Sequence, residues 1–204
     1  MTRAPWARPG PAIGFAAASA SGSVILAHAL GWITLGFSLR ILAPLILFTF
    51  VGLLAYAGRA REDVLMTRLL GGLAAGAAGL VAYNLLRLLI MVTGLVPFNP
   101  FRPIEVYGLL ILDAAEDTAL TRAVGWSFHL WNGLSFAMMY TLAVGKGRIA
   151  WAVVWGLLLE LAMLSSYPSI FGLVIGWPFV VVSVAGHVAY GLALGVVAKR
   201  VVLW

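Results

Sequence analysis

Cysteine is absent from this chain of 204 residues, which excludes disulfides, thiolate nucleophiles and Cys-ligated zinc or iron–sulfur centres. Charge is scarce as well: 10% of residues are Asp, Glu, Lys or Arg, where about a quarter is ordinary for a soluble domain. The chain also lacks a nucleotide-binding glycine loop, an HExxH zinc motif and a GxSxG serine-hydrolase motif, so none of those chemistries is announced by spacing. No repeat of length or motif relates the two halves, and an inverted-repeat transporter is not expected on that ground.

What remains is apolar. Hydrophobic residues make up 63% of the chain and the mean hydropathy is +1.04, well above the half-apolar composition of soluble domains. A chain of this kind belongs in a bilayer, where each spanning helix needs about 20 apolar residues. The expected fold class is therefore all-α, a polytopic transmembrane helix bundle forming a single integral membrane domain over residues 1–204. Strands are not expected, because an open strand leaves backbone groups unsatisfied in lipid. The net charge of +6 does not point to nucleic acid, since the basic residues fall in short clusters between apolar runs, where they orient spans.

Apolar windows place six spans near residues 12–38, 41–58, 69–96, 123–145, 149–166 and 177–198. Arg3 and Arg8 followed by a run ending Ala27-His28-Ala29 imitate a secretory leader. The apolar pattern continues to Leu39, however, so this segment is read as a span. Arg3, Arg8, Arg59, Arg61, Arg68, Lys146, Arg148, Lys199 and Arg200 fall on one side of a six-span chain. That side is cytoplasmic by the positive-inside rule, which puts both termini inside. The opposite side receives Arg40, the exception to the charge asymmetry, and a long segment 97–122. Within that segment IEVYGLLILDAAED is too short to cross and reads as an interfacial or re-entrant helix, with Asp113, Glu116 and Asp117 on one face. Trp6, Trp126, Trp177 and Trp204 near span ends read as an interfacial belt. Gly72/Gly76 and Gly191/Gly195 are GxxxG pairs that mark close helix approach.

The ionisable residues inside the spans share a depth. With alternating span directions, Arg87 on span three, His129 on span four, Glu160 on span five, His187 on span six and His28 on span one all fall in the outer half. Asn84 and Tyr83 share the neighbourhood of Arg87, Asn132 that of His129, and Tyr190 that of His187. Charges at such depth cost about 2.5–3.5 kcal/mol on insertion scales and face a bundle interior or a wet cavity, with partners. Arg87 and Glu160 are the expected ion pair. The expected ligand-binding set is Asn84, Arg87, His129, Asn132, Glu160 and His187, supported by Tyr83, His28, Tyr190, Asp113, Glu116 and Asp117. Plainer readings stand beside it: Arg87 snorkelling to headgroups, Glu160 as a structural counter-ion, and the histidines and Asn132 as packing or interhelical hydrogen-bonding residues.

His129, His187 and Glu160 would make a two-histidine-one-carboxylate set, capped by the acidic trio, but no ligand spacing announces a metal and none is expected. Haem or chlorophyll ligation by His28, His129 or His187 is open only as it is for any buried histidine, so the cofactor is left unknown.

The stretches HLWNGLSFAMMY, YPSIFG and GHVAYGLALG carry His129, Tyr140, Pro168, Gly172, Gly186, His187, Tyr190 and Gly191. Through these residues the C-terminal part of the chain resembles small bacterial inner-membrane proteins, the YagU-like and related families of unknown function. The resemblance implies a multi-pass protein of a bacterial or archaeal cytoplasmic membrane and supplies no activity. The expected function is binding or transport of a small polar or anionic solute, or of a lipid headgroup, in an outward-facing polar pocket partly covered by residues 97–122. Two alternatives stay open: an enzyme acting on lipid-linked substrates at the outer leaflet, and an accessory subunit of a larger membrane complex. The expected partners are the lipid bilayer, a small solute or lipid, and other membrane subunits.

Overall fold

The computed structural model describes residues 9–171 and 176–203. Arg3, Trp6, Arg8, Gly172 and Trp204, on which the sequence reading drew, lie outside the described residues. The described chain is all-helical, with no strand: α1 (Pro9–Ala29), α2 (Leu35–Ala60), α3 (Asp63–Val92), α4 (Arg102–Leu112), α5 (Ala119–Ala143), α6 (Ile149–Phe171) and α7 (Trp177–Val201). Five of these, α1, α2, α3, α6 and α7, are long and apolar enough to cross a membrane. At 25 residues, α5 is as long as α7 but carries Arg122, His129 and Asn132, which lower its hydropathy. The protein is an integral membrane protein in contact with lipid. Its outward faces are apolar, with Phe48, Val81, Leu95 and Leu161 each at least 66% exposed, an arrangement that would aggregate in water.

Local chemistry sets the helix ends. The first break falls at residues 30–34, not at Arg40: Gly31 takes a left-handed φ of 71°, and Thr34 begins α2 by accepting from the Phe37 N–H at 3.4 Å. These two residues override an apolar run that continues through them. Arg40 thus lies inside α2. The short helix expected within 97–122 is present as α4, started by Pro103 in its first turn. It is ended by Asp113, whose φ of 51° is left-handed. The acidic trio is therefore not a helical face: Asp113 closes α4, while Glu116 and Asp117 follow outside it. Thr118 and Thr121 then form a reciprocal capping box that opens α5.

The long helices alternate in direction about α3, which packs most extensively on α7 and α5, while α6 lies on α7 and α4 on α5. Glycine sets the spacing. A Cβ on Gly76 would stand 2.9 Å from the Ala137 Cβ and 3.0 Å from the Leu134 Cα, and one on Gly191 would stand 2.6 Å from the Ala152 carbonyl oxygen. Both GxxxG pairs therefore sit at helix–helix contacts. The closest approach is between α4 and α5, where a Cβ on Gly108 would overlap the Thr121 carbonyl and one on Gly125 the Ile104 carbonyl. Arg68 ties the other end of α3 to α5: its guanidinium Nη1 donates to the Leu142 carbonyl at 2.8 Å, and Thr141 Oγ1 donates to the Arg68 carbonyl at 2.7 Å.

Gly125→Val is expected to lower stability by about 1–3 kcal/mol or more through overpacking. Gly52→Ala, at an exposed helical site with nothing near its Cβ, is expected to raise it by about 0.5–1 kcal/mol. Thermal unfolding of the detergent-solubilised variants reads both.

Candidate functional site

A six-residue stretch recurs on the two helices that cross at the centre. Residues 78–83 of α3 read AGLVAY and residues 185–190 of α7 read AGHVAY. The helices run in opposite directions, so each tyrosine meets the other's glycine. A Cβ on Gly186 would stand 2.9 Å from the Tyr83 ring, and one on Gly79 would stand 2.7 Å from the Tyr190 ring. The reciprocity is confined to this pair, since α3 goes on to pack against α5 whereas α7 packs against α6.

Tyr83, seated in this way, organises the polar side chains around it. Its ring lies with centroids 5.6 Å from His129 and 5.0 Å from His187, and the Arg87 Cζ is 4.7 Å from its centroid. Its hydroxyl meets the Ser183 side chain. Ser183 Oγ donates to Glu160 Oε2 at 3.0 Å, and His187 Nδ1 is 2.8 Å from the same oxygen and 3.0 Å from the Ser183 carbonyl. Both neighbours of Nδ1 are acceptors, so Nδ1 carries the hydrogen and Nε2 is left for another partner.

Arg87 and Glu160 are each 2% exposed but do not form the ion pair expected from sequence. Glu160 reaches Ser183 and His187 first, because α6 packs on α7 and not on α3. Arg87 is left with Nε and Nη2 unpartnered, beside an aromatic ring instead of a carboxylate. It does not snorkel to the surface. A desolvated cation–π contact is worth about 2 kcal/mol, less than a buried guanidinium requires for full compensation.

A cavity of about 50 Å³ lies against this group, its walls largely apolar, with Tyr83, Tyr107, His129, Asn132, His187 and Tyr190 among its lining. At about 10–15 Å³ per water-sized occupant it takes a few waters or one small polar group. Asn132 donates through Nδ2 to the Phe128 carbonyl at 3.1 Å, and its Oδ1 is buried without a partner. Tyr190 donates to the Gly133 carbonyl at 2.5 Å. Residues 97–122 contribute a wall through Tyr107 of α4.

Of the expected set, His129, Asn132 and His187 line the cavity, with Tyr83 and Tyr190. Arg87 and Glu160 stand behind Tyr83 and His187. Asn84 Oδ1 accepts from His129 Nε2–H at 3.1 Å, and Asn84 lines a separate lateral groove. His28 is not part of the group, since its Nδ1 lies 3.3 Å from the Ile33 carbonyl in the α1–α2 turn. Asp113, Glu116 and Asp117 do not line the cavity either, and Asp117 pairs with Arg122 at 3.1 Å. Among the described residues no three His, Asp or Glu side chains cluster to hold a metal: His129 is engaged by Asn84, and His187 and Glu160 by each other.

Sequence reasoning missed Ser183, Tyr107 and the two glycine seats. Ser183 precedes His187 by four residues, one helical turn, and the recurring AGxVAY stretch was visible in principle. Compared with protein-family models, curated proteins and solved structures, the chain matches none.

Double-mutant cycles separate the two pairings. Glu160→Ala with His187→Ala is expected to show a coupling of about 1–3 kcal/mol, whereas Arg87→Ala with Glu160→Ala should show less than about 0.5 kcal/mol. Equilibrium unfolding of the single and double variants measures both.

Proposed function

We propose that the chain spans the cytoplasmic membrane of a bacterial or archaeal cell six times, α5 included, with both termini inside, and that the cavity lies in its outer half. There it binds a small polar or anionic group, either a free solute or a lipid headgroup, for passage or for presentation to a partner. The clustering of Arg59, Arg61, Lys146, Arg148, Lys199 and Arg200 at the ends away from α4 supports the orientation, and so does the resemblance to YagU-like inner-membrane proteins.

One observation carries the binding reading. Glu160 is hydrogen-bonded through Oε2 to Ser183 and His187, while the equally buried Arg87 has no carboxylate within ion-pair distance among the described residues. Arg87 thus keeps two unpartnered N–H donors on a buried cation beside the Tyr83 wall of the cavity. A unit charge acting over about 8 Å at an effective dielectric of about 20 contributes on the order of 2 kcal/mol to a bound anion. Asn132 Oδ1 and His187 Nε2 supply the short-range polar contacts, accepting from a hydroxyl on the same ligand.

A second reading rests on the Glu160–His187 pair. A carboxylate on Nδ1 holds the imidazole with Nε2 available, as in general-base pairs. A lipid-linked substrate whose hydroxyl reached Nε2 would be activated there.

Two measurements test the proposal. Because native cysteine is absent, Lys146→Cys and Glu116→Cys each place a single thiol in the chain. In intact cells a membrane-impermeant maleimide is expected to label the Glu116→Cys protein and leave the Lys146→Cys protein unlabelled until the membrane is opened. For binding, glycerol 3-phosphate is expected to stabilise the protein against heat beyond sodium chloride of equal ionic strength, by about 2.7 kcal/mol at a hundred times its Kd. Arg87→Gln should remove the effect. Equal stabilisation of wild type and Arg87→Gln would overturn the role given to the buried guanidinium.

A further inference from the structure

Beside the polar cavity a lateral groove of about 770 Å³ opens between α3 and α5, within the range of ligand-binding clefts. Its walls are apolar, formed by Val81, Leu85, Leu88, Met91, Leu130 and Leu134, and no charged side chain lines it. Phe101 and Trp126, with ring centroids 5.6 Å apart, close the end towards α4. Val81 is 66% and Leu85 51% exposed, so on a membrane-spanning bundle the groove faces acyl chains.

The groove and the cavity share a wall. Leu80 lines both, and the hydrogen bond between Asn84 of the groove and His129 of the cavity, at 3.1 Å, forms the polar part of the partition. An apolar channel open to lipid therefore ends, one side chain deep, on a small chamber edged by His129, Asn132 and His187, with the buried Arg87 guanidinium against its Tyr83 wall. Neither compartment alone suits a soluble anion: the groove repels it, and the cavity holds only its head. Together they match an amphiphile.

Resting on the binding reading above, we propose that the ligand is an acyl-chain lipid with an anionic head, which enters sideways from the bilayer between α3 and α5. Its chain lies along Val81, Leu85, Leu88 and Leu130. Its head meets the Asn84–His129 pair and displaces it to reach the cavity. The shared wall of groove and cavity, together with the unpartnered Arg87 N–H groups beside Tyr83, selects this occupant over a second protein helix, which would bring no anion to the chamber.

The test uses the full chain in phosphatidylcholine nanodiscs containing a trace of phosphatidic acid with a photoreactive diazirine on its acyl chain. Peptide mapping after illumination is expected to place adducts on α3 and α5 around Leu85, Leu88 and Leu130, about ten-fold above the exposed α2 residues Leu45 and Phe48, a preference set by specific affinity over bulk lipid contact. Ala77→Trp and, independently, Leu130→Trp fill the groove from exposed positions and should reduce the adducts to the α2 level. A diazirine-bearing phosphatidylcholine should show no such preference. Even labelling of α2, α3 and α5, or adducts unchanged in both tryptophan variants, would overturn the proposal. If labelling is even while glycerol 3-phosphate still stabilises wild type and Ala77→Trp alike, sideways entry fails and the polar site stands. If labelling is even and no anion stabilises the wild type, both fail.

Discussion

The seat of Tyr83 against Gly186 is the contact on which the polar interior depends. A ring can lie between α3 and α7 only because Gly186 has no side chain. Once there, the ring faces two histidines, supports a guanidinium and brings its hydroxyl to the Ser183 side chain. Without that seat the helices would stand farther apart, and Glu160, Ser183 and His187 would lose the wall that closes them in. The partner contact, Tyr190 against Gly79, adds a hydrogen bond to the Gly133 carbonyl, so one pair of tyrosines joins α3, α5 and α7. In a membrane, where helix association gains little from hydrophobic burial, close packing at small residues and interhelical hydrogen bonds are the available sources of cohesion.

Charge is distributed unevenly around that centre. The buried carboxylate has two hydrogen-bonding neighbours, and the buried guanidinium has an aromatic face. The difference follows from packing: α6 delivers Glu160 to α7, while Arg87 projects from α3 on the far side of Tyr83. Glu160 Oε1 and Arg87 Nε and Nη2 are left buried without partners, so each group keeps hydrogen-bonding capacity that a direct ion pair would have consumed.

Much of this was legible in composition and depth. The absence of cysteine, the scarcity of charge and the long apolar runs define an all-helical membrane chain, and alternating helix directions bring Asn84, Arg87, His129, Asn132, Glu160 and His187 to one level. Depth along an axis says nothing of azimuth, however. It could not tell that Tyr83 separates Arg87 from Glu160, that His28 turns into a loop, or that Asn84 belongs to a groove. Apolar periodicity likewise ran through the α1–α2 break, because Gly31 and Thr34 act through backbone conformation and capping. The acidic trio failed as a helical face for a related reason: Asp113 adopts a left-handed conformation that ends the helix its spacing assumed. The AGxVAY recurrence is short enough to pass as ordinary membrane composition, and it acquires meaning only when the two copies are found facing each other.

The backbone contact between α4 and α5 has a mechanical consequence. With Gly108 and Gly125 bringing carbonyls of each helix against the other, α4 cannot slide or tilt over α5 without a steric clash. Any widening of the chamber at Tyr107 must therefore carry both helices as one rigid body. That body is itself held to α3 by the close approach of Gly76 to Ala137 and by the Arg68 and Thr141 hydrogen bonds, so the Tyr107 wall is braced through α5 to the centre of the bundle.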